Sequence, residues 1–389
     1  MFIKGKDKFD IFIEVCIVLL AMYFMHLSQF ILPIMCLAFF IKNRLRLNVK
    51  NWPVFIVLCL FGITFFIFSY KLGFYSVMGL CLPMAYYVGQ NVLNNTSISF
   101  KETVYLVALG MCIHVMLNFG YDLIMYGSSI VIHRSHYDIW TGDIIKTTTT
   151  AVNYVIPTSC MYYIILREDN KKFKFCFIVI YLLMMIYNIF LGRRTPLLMF
   201  VLVFGAGLLI NAYEKKSYKL LLGVATTVLV CALIIAVLVL TNFKGFGDRF
   251  FMLHIVSKFV EFGLDGGRLD IFLDALKYMP EYPWGGQYIS GLLEIQIHDL
   301  WTDIYDFAGA VPYVLIIVYF ILNFVLMFRL IRDKWISKEI KVLSAFVFVC
   351  CMIEMFLEPV MTGSSLFLIC FVLIFAALDS CYRKVGLDV

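Results

Sequence analysis

Two adjacent arginines between two apolar runs are the first candidates for a chemical role. They lie in the segment Gly192-Arg193-Arg194-Thr195-Pro196, whose glycine and proline predict a tight turn. A guanidinium presents planar, bidentate donors that match phosphate oxygens, and a hydroxyl at the start of the next helix adds another donor. The alternative is that both arginines extend to lipid headgroups. We favour an anion site, and the argument is stronger for the pair of arginines than for either arginine alone.

Arg268 could bring a further guanidinium to the same anion. It follows Gly266 and Gly267, and glycines let the backbone approach a ligand closely. A headgroup contact or a salt bridge to Asp265 is the competing interpretation. Arg249 is a weaker candidate for the anion site.

His298 is the candidate for proton transfer, because an imidazole can exchange a proton near neutral pH. Asp299 and Asp303 follow it closely and are reserve bases. The competing interpretation is a polar helix start, where the two carboxylates favour the positive end of the helix dipole. Four other histidines have no comparable sequence context, and we do not expect a role in the site for them: His114, His133, His136 and His254.

The composition indicates which elements must position these residues. Hydrophobic types make up 62% of the 389 residues and charged types 15%, with a mean hydropathy of +0.91. So few polar residues cannot cover a water-soluble surface, and long apolar runs favour membrane helices over a β-barrel. The net charge of +6 lies in clusters between apolar runs, which argues against nucleic acid. The 12 cysteines show no metal-binding or disulfide pattern.

The apolar runs predict an all-α, polytopic membrane protein with about twelve transmembrane helices. The first two runs are short enough to be tilted or re-entrant. The predicted spans are 10–24, 28–41, 53–70, 72–91, 103–126, 149–166, 174–191, 195–213, 219–241, 307–328, 340–357 and 365–380.

The basic residues predict the orientation of this single domain, residues 1–389. More than two thirds of the 32 Lys and Arg fall in alternate connections, which indicates a cytoplasmic N-terminus, an uncleaved first helix and cytoplasmic basic connections. Two longer loops, 127–148 and 242–306, are then extracytoplasmic. Within the second, the spacing predicts an amphipathic interfacial helix over 268–278 and a short helix over 298–307 that runs into the next span.

Three segments together resemble the O-antigen polymerase and ligase family. They are the turn at Arg193–Pro196, the helix start at Gly267–Leu269, and the histidine segment from His298 to Gly309. The large outer loop between two late spans is similar as well. The resemblance covers roughly the second half of the chain.

The resemblance implies metal-independent, inverting glycosyl transfer without a cofactor, at the outer face of a bacterial cytoplasmic membrane. An acceptor hydroxyl attacks a sugar held on undecaprenyl pyrophosphate, and arginines stabilise the leaving diphosphate. The implied catalytic residues are His298, Arg268 and Arg194. The implied substrate-binding residues are Arg193, Arg194, Thr195, Arg268, Arg249, Asp299 and Asp303.

Three functions stay open at this point. A polymerase would join lipid-linked oligosaccharide repeat units, a ligase-like transferase would move the finished glycan, and a flippase or transporter would only translocate it. The candidate charged residues concentrate in outer loops and not along a path through the spans, which argues against a transporter. The sequence separates polymerase from ligase poorly, and we favour the polymerase. Its partners would be the lipid-linked oligosaccharide and membrane lipid, with a chain-length regulator and a flippase as candidates.

Overall fold

A computed structural model describes residues 7–69, 74–131, 136–145, 147–216, 218–245, 268–294 and 299–387, together with positions 247, 250, 251 and 256. We label its α-helices α1 to α16 in chain order. They are α1 (Lys8–Ala21), α2 (Ser28–Lys42), α3 (Trp52–Phe68), α4 (Phe74–Asn95), α5 (Phe100–Tyr126), α6 (Thr147–Val152), α7 (Val155–Arg167), α8 (Lys171–Leu191), α9 (Thr195–Lys215), α10 (Lys219–Leu240), α11 (Arg268–Tyr278), α12 (Tyr288–Leu293), α13 (Leu300–Ala308), α14 (Ala310–Arg332), α15 (Lys338–Leu357) and α16 (Val360–Leu387).

The described part of the chain is a helical membrane protein, as the apolar runs predict. Seven of its helices are long and apolar enough to cross a membrane: α5, α8, α9, α10, α14, α15 and α16. The apolar helices α2 and α3 are shorter, with 15 and 17 residues. A helix needs about 20 residues to cross the hydrocarbon core upright. The larger number of crossings stays a prediction.

The predicted span 149–166 differs from the structure, because two helices, α6 and α7, replace it. They are separated at Asn153 and Tyr154. Asn153 donates a hydrogen bond from Nδ2 to Nδ1 of His114, 3.1 Å away, and so binds a polar group instead of continuing an apolar face. Pro157 has no amide hydrogen to donate to the Asn153 carbonyl four residues earlier, which also weakens a continuous helix here.

The bundle is built around α16, which packs along α4 over most of its length. The residues from Leu366 to Leu378 are almost completely buried. Gly89 of α4 marks the closest approach, because an added Cβ would lie 2.2 Å from the carbonyl oxygen of Leu373. Only glycine lets the two backbones come this close.

Polar contacts at one end of the bundle join the connections that carry the basic clusters. The three contacts are Asn51 Nδ2 to Asp379 Oδ2 (3.1 Å), Ser97 N to Asp10 Oδ2 (3.1 Å) and Lys101 Nζ to Glu168 Oε2 (2.9 Å). Alternate helix ends therefore meet at this basic end. The opposite end holds residues 136–145, and we call it the hairpin end.

The described parts of the segment 242–306 form a small helical layer at the hairpin end. The predicted helix over 268–278 is confirmed as α11, and Leu269, Leu273 and Leu276 on it are exposed. A second small core joins α11, α12 and α13 through Ala275, Met279, Ile289 and Tyr305. The predicted short helix over 298–307 is α13, and Gly309 at φ +82° separates it from α14.

Candidate functional site

The arginine turn is held in place by its own backbone and by α8. Gly192 ends α8 in the left-handed conformation, at φ +67°, which favours glycine. Asn188 donates from Nδ2 to the carbonyl oxygen of Arg193 at 2.9 Å, and the Arg193 amide donates to the Asn188 carbonyl at 3.3 Å. Arg193 and Arg194 are half-buried, whereas Thr195 is buried at the start of α9. The backbone under both guanidiniums is therefore fixed.

A buried carboxylate lies close to this turn. Tyr187 directly precedes Asn188, the residue that bonds the Arg193 backbone. The Tyr187 hydroxyl donates to Oδ2 of Asp122 at 2.6 Å, and Asp122 is completely buried in α5. The turn that the sequence singles out for anion binding thus lies beside a buried acidic group.

Asp122 also pairs with a histidine. His136 Nδ1 lies 2.7 Å from Oδ2 of Asp122, and the Tyr137 amide donates to Oδ1 at 3.4 Å. The His136 side chain is 5% exposed. Its other nitrogen, Nε2, has no hydrogen-bond partner among the residues that the structure describes. This pair therefore has one open position.

A second histidine–aspartate pair lies nearby. His114 Nε2 is 3.0 Å from Oδ2 of Asp138, and Asn153 donates to its Nδ1, so both ring nitrogens are occupied. The Trp140 amide donates to Oδ1 of Asp138 at 2.8 Å. Burial raises the pKa of the Asp138 carboxyl, but the hydrogen bond with His114 and the nearby His26 ring, 3.8 Å away, outweigh it and hold that pKa well below its usual range.

A hairpin at residues 136–145 supplies one member of each pair, His136 and Asp138, and α5 supplies the other. The Ile145 amide donates to the His136 carbonyl at 2.8 Å, and a bridge joins Tyr137 to Ile144. Trp140 packs edge-on against Phe24, with ring centroids 5.2 Å apart. The hairpin is therefore pressed onto the helix ends, and this buries its polar side chains.

Two of the predicted acids, Asp299 and Asp303, lie at the start of α13, and both accept hydrogen bonds that hold this helix in place. Asp299 caps the helix by accepting from the Thr302 amide at 2.8 Å. Asp303 accepts from the Thr362 amide at 3.0 Å and from its hydroxyl at 2.7 Å, which ties α13 to the start of α16. Burial raises the pKa of Asp303 to about 7, although the bonds from Thr362 lower it in part. Burial also raises the pKa of Asp299.

Two predicted site residues lie outside the described part of the chain, and the side chain of a third is not described. Arg249 and His298 are not described, and Arg268 is described only as the backbone start of α11. A cluster of all the predicted arginines with His298 therefore stays a prediction. The structure describes Arg193, Arg194 and Thr195 as one turn, and Asp299 with Asp303 as one face of α13.

The sequence reasoning missed the paired residues of the hairpin end: His114, Asp122, His136, Asp138 and Tyr187. One signal could have found them, because Asp122 stands inside the predicted span 103–126. An ionisable residue in such a span is costly and calls for a partner.

Neither a family model nor a curated protein matches this chain.

Proposed function

We propose that this protein is a membrane-embedded glycosyltransferase that joins lipid-linked oligosaccharide repeat units into a surface polysaccharide such as O-antigen or capsule. The observation that carries the proposal is the position of the Arg193 turn. The Arg193 backbone is bonded to Asn188 of α8, and the preceding Tyr187 bonds the buried Asp122–His136 pair, so the guanidiniums and this pair lie at the same end of the bundle. Transfer from a diphosphate-linked sugar requires both kinds of group.

The proposed donor is an undecaprenyl pyrophosphate-linked oligosaccharide. The acceptor hydroxyl forms a bond to the anomeric carbon while the bond from that carbon to the diphosphate oxygen breaks. Negative charge then develops on the phosphate, where preorganised guanidiniums are most effective because little water competes. Arg193, Arg194 and Thr195 bind this group in the proposal, and Arg268 and Arg249 join them from the long segment.

His298 lies on the acceptor side in this proposal. It either accepts the hydroxyl proton or orients the acceptor by a hydrogen bond. Asp299 and Asp303 support it indirectly, since their bonds to Thr302 and Thr362 hold the helix that His298 precedes. In the proposed orientation the hairpin end faces outside, the basic end faces the cytoplasm, and about twelve helices cross the bacterial cytoplasmic membrane.

Reconstitution with a lipid-linked repeat unit separates this function from its alternatives. The purified protein in lipid nanodiscs should convert the single unit into a ladder of longer lipid-linked products. A ligase-like transferase would give new product only when a separate acceptor is added. A flippase would form no new glycosidic bond and would instead move the unit across the bilayer of a proteoliposome. Either of these results would exclude the polymerase.

A further inference from the structure

The two buried histidine–aspartate pairs have the same composition but different hydrogen bonding. His114 uses both ring nitrogens, one toward Asp138 and one toward Asn153. His136 uses Nδ1 toward Asp122, and no described residue bonds its Nε2. Since a buried polar atom without a partner costs free energy, a purely structural pair should resemble His114. The open nitrogen of His136 indicates a ligand.

Asp122 prepares that nitrogen to accept a proton. Its carboxylate accepts the Nδ1 hydrogen of His136, which leaves the lone pair of the neutral ring on Nε2. The carboxylate is itself held by the Tyr187 hydroxyl and the Tyr137 amide, so the imidazole plane is fixed as well. When Nε2 takes up a proton, the adjacent carboxylate stabilises the imidazolium.

We propose that Nε2 of His136 accepts the proton of the acceptor hydroxyl, an inference that rests on the proposed function. The O–H bond breaks and its proton moves to Nε2, while the hydroxyl oxygen forms the bond to the anomeric carbon. The electron pair of the broken C–O bond leaves on the diphosphate, beside the Arg193 turn. His298 then orients the acceptor. The imidazolium of His136 returns its proton to water or to product after the transfer.

The burial of the ring specifies how substrate reaches it. Because His136 is 5% exposed, an acceptor hydroxyl meets Nε2 only when the hairpin shifts away from the helix ends. The hairpin is held there by the two histidine–aspartate pairs and by Trp140. The reaction then takes place in a water-poor space, which strengthens each charge interaction of the site.

The test compares His136→Gln with His114→Gln in the nanodisc assay. Each rate is divided by the amount of folded protein. Glutamine can still hydrogen-bond the neighbouring aspartate but does not accept a proton near neutral pH. We expect His136→Gln to lower the transfer rate by ~10²- to 10⁴-fold. His114→Gln should lower the rate at least ~10-fold less than His136→Gln does, since it changes a contact that holds the hairpin but removes no proton acceptor from the reaction. A His136→Gln rate within threefold of wild type would overturn the inference.

A second measurement uses the wild-type protein and does not depend on folding of a variant. Diethyl pyrocarbonate ethoxycarbonylates a neutral imidazole nitrogen, and mass spectrometry detects the modification at each histidine separately. We expect labelling of His136 but not of His114, and slower labelling of His136 when lipid-linked repeat units are present. Equal labelling of both residues, or no labelling of His136, would overturn the inference. A wild-type protein that labels as expected but elongates nothing would instead refute the proposed function.

Discussion

The Tyr187 hydroxyl lies 2.6 Å from Oδ2 of Asp122, and the same oxygen accepts a hydrogen bond from Nδ1 of His136. This contact joins the helix that ends at the arginine turn to the helix beneath the hairpin. One carboxylate oxygen of Asp122 therefore connects the helix that carries the arginine turn with the histidine of the hairpin.

Removing this hydroxyl should destabilise the protein. We expect Tyr187→Phe to lower the free energy of unfolding by about 1–3 kcal/mol, because a buried carboxylate loses a donor. Tyr181→Phe is the matched control, since Tyr181 is also buried in α8 but bonds the neutral hydroxyl of Thr158 at 2.9 Å. Denaturant unfolding in detergent measures both. A larger loss for Tyr181→Phe would contradict the special importance of the Asp122 contact.

Arg193→Lys tests the anion site. Lysine keeps the positive charge but loses the bidentate fork, and the turn keeps its bonds to Asn188, because they involve the Arg193 backbone. We expect elongation to fall by at least ~10-fold, in line with the about 1.5–3 kcal/mol of a charged hydrogen bond. The variant should accumulate in the membrane as wild type does. The control is Arg329→Lys at the basic end, which should elongate normally. Normal elongation by both Arg193→Lys and Arg194→Lys would refute the anion site at this turn.

Cysteine labelling tests the proposed orientation. Thr141 in the hairpin and Lys334 between α14 and α15 are both exposed, and they lie at opposite ends of the bundle. In a cysteine-free variant, a membrane-impermeant maleimide applied to intact cells should label Thr141→Cys but not Lys334→Cys. Both should react after the membrane is opened. The reverse pattern would put the arginine turn on the cytoplasmic side and exclude an outer-face reaction.

The burial of Asp303 should make stability depend on pH. Burial raises the pKa of Asp303 in the folded protein from 3.8 to about 7, so the folded state binds a proton that the unfolded state releases. The stability that this proton contributes is therefore present below about pH 4 and is lost as the pH rises to about 7. Asp303→Asn should flatten this decline in a series of unfolding measurements between pH 4 and 8. An equally steep decline in the variant would assign the effect to other groups.

Apolar runs and caps predicted most of the helices, because a helix depends on its own residues and their immediate neighbours. Helical spacing at Leu273 predicted α11, and α13 was expected over 298–307; that Asp299 caps α13 is visible only in the structure. Which helices pair could not be predicted in this way. The bond from Gln90 to Asp379 joins residues 289 positions apart, and no local pattern specifies it.

The candidate site was predicted only on its cationic side, for the same reason. Two arginines in one turn are adjacent in the sequence, so their shared chemistry is visible there. His136 and Asp122 are 14 positions apart and meet only because a hairpin folds back onto a helix end. His136 alone resembles any loop histidine until its partner and its open nitrogen are known.

The isolation of α10 has a consequence for how the protein responds to its membrane. This helix packs chiefly against α9, and its stretch from Leu222 to Leu240 has no residue buried by the described protein. Since few described residues cover α10, we expect lipid tails to be its main neighbours and bilayer thickness, more than packing against protein, to set its tilt. Because α10 leads directly into the segment that holds Arg249 and Arg268, a thinner or thicker bilayer should reposition these two arginines relative to the turn at Arg193. Elongation should then vary with acyl-chain length.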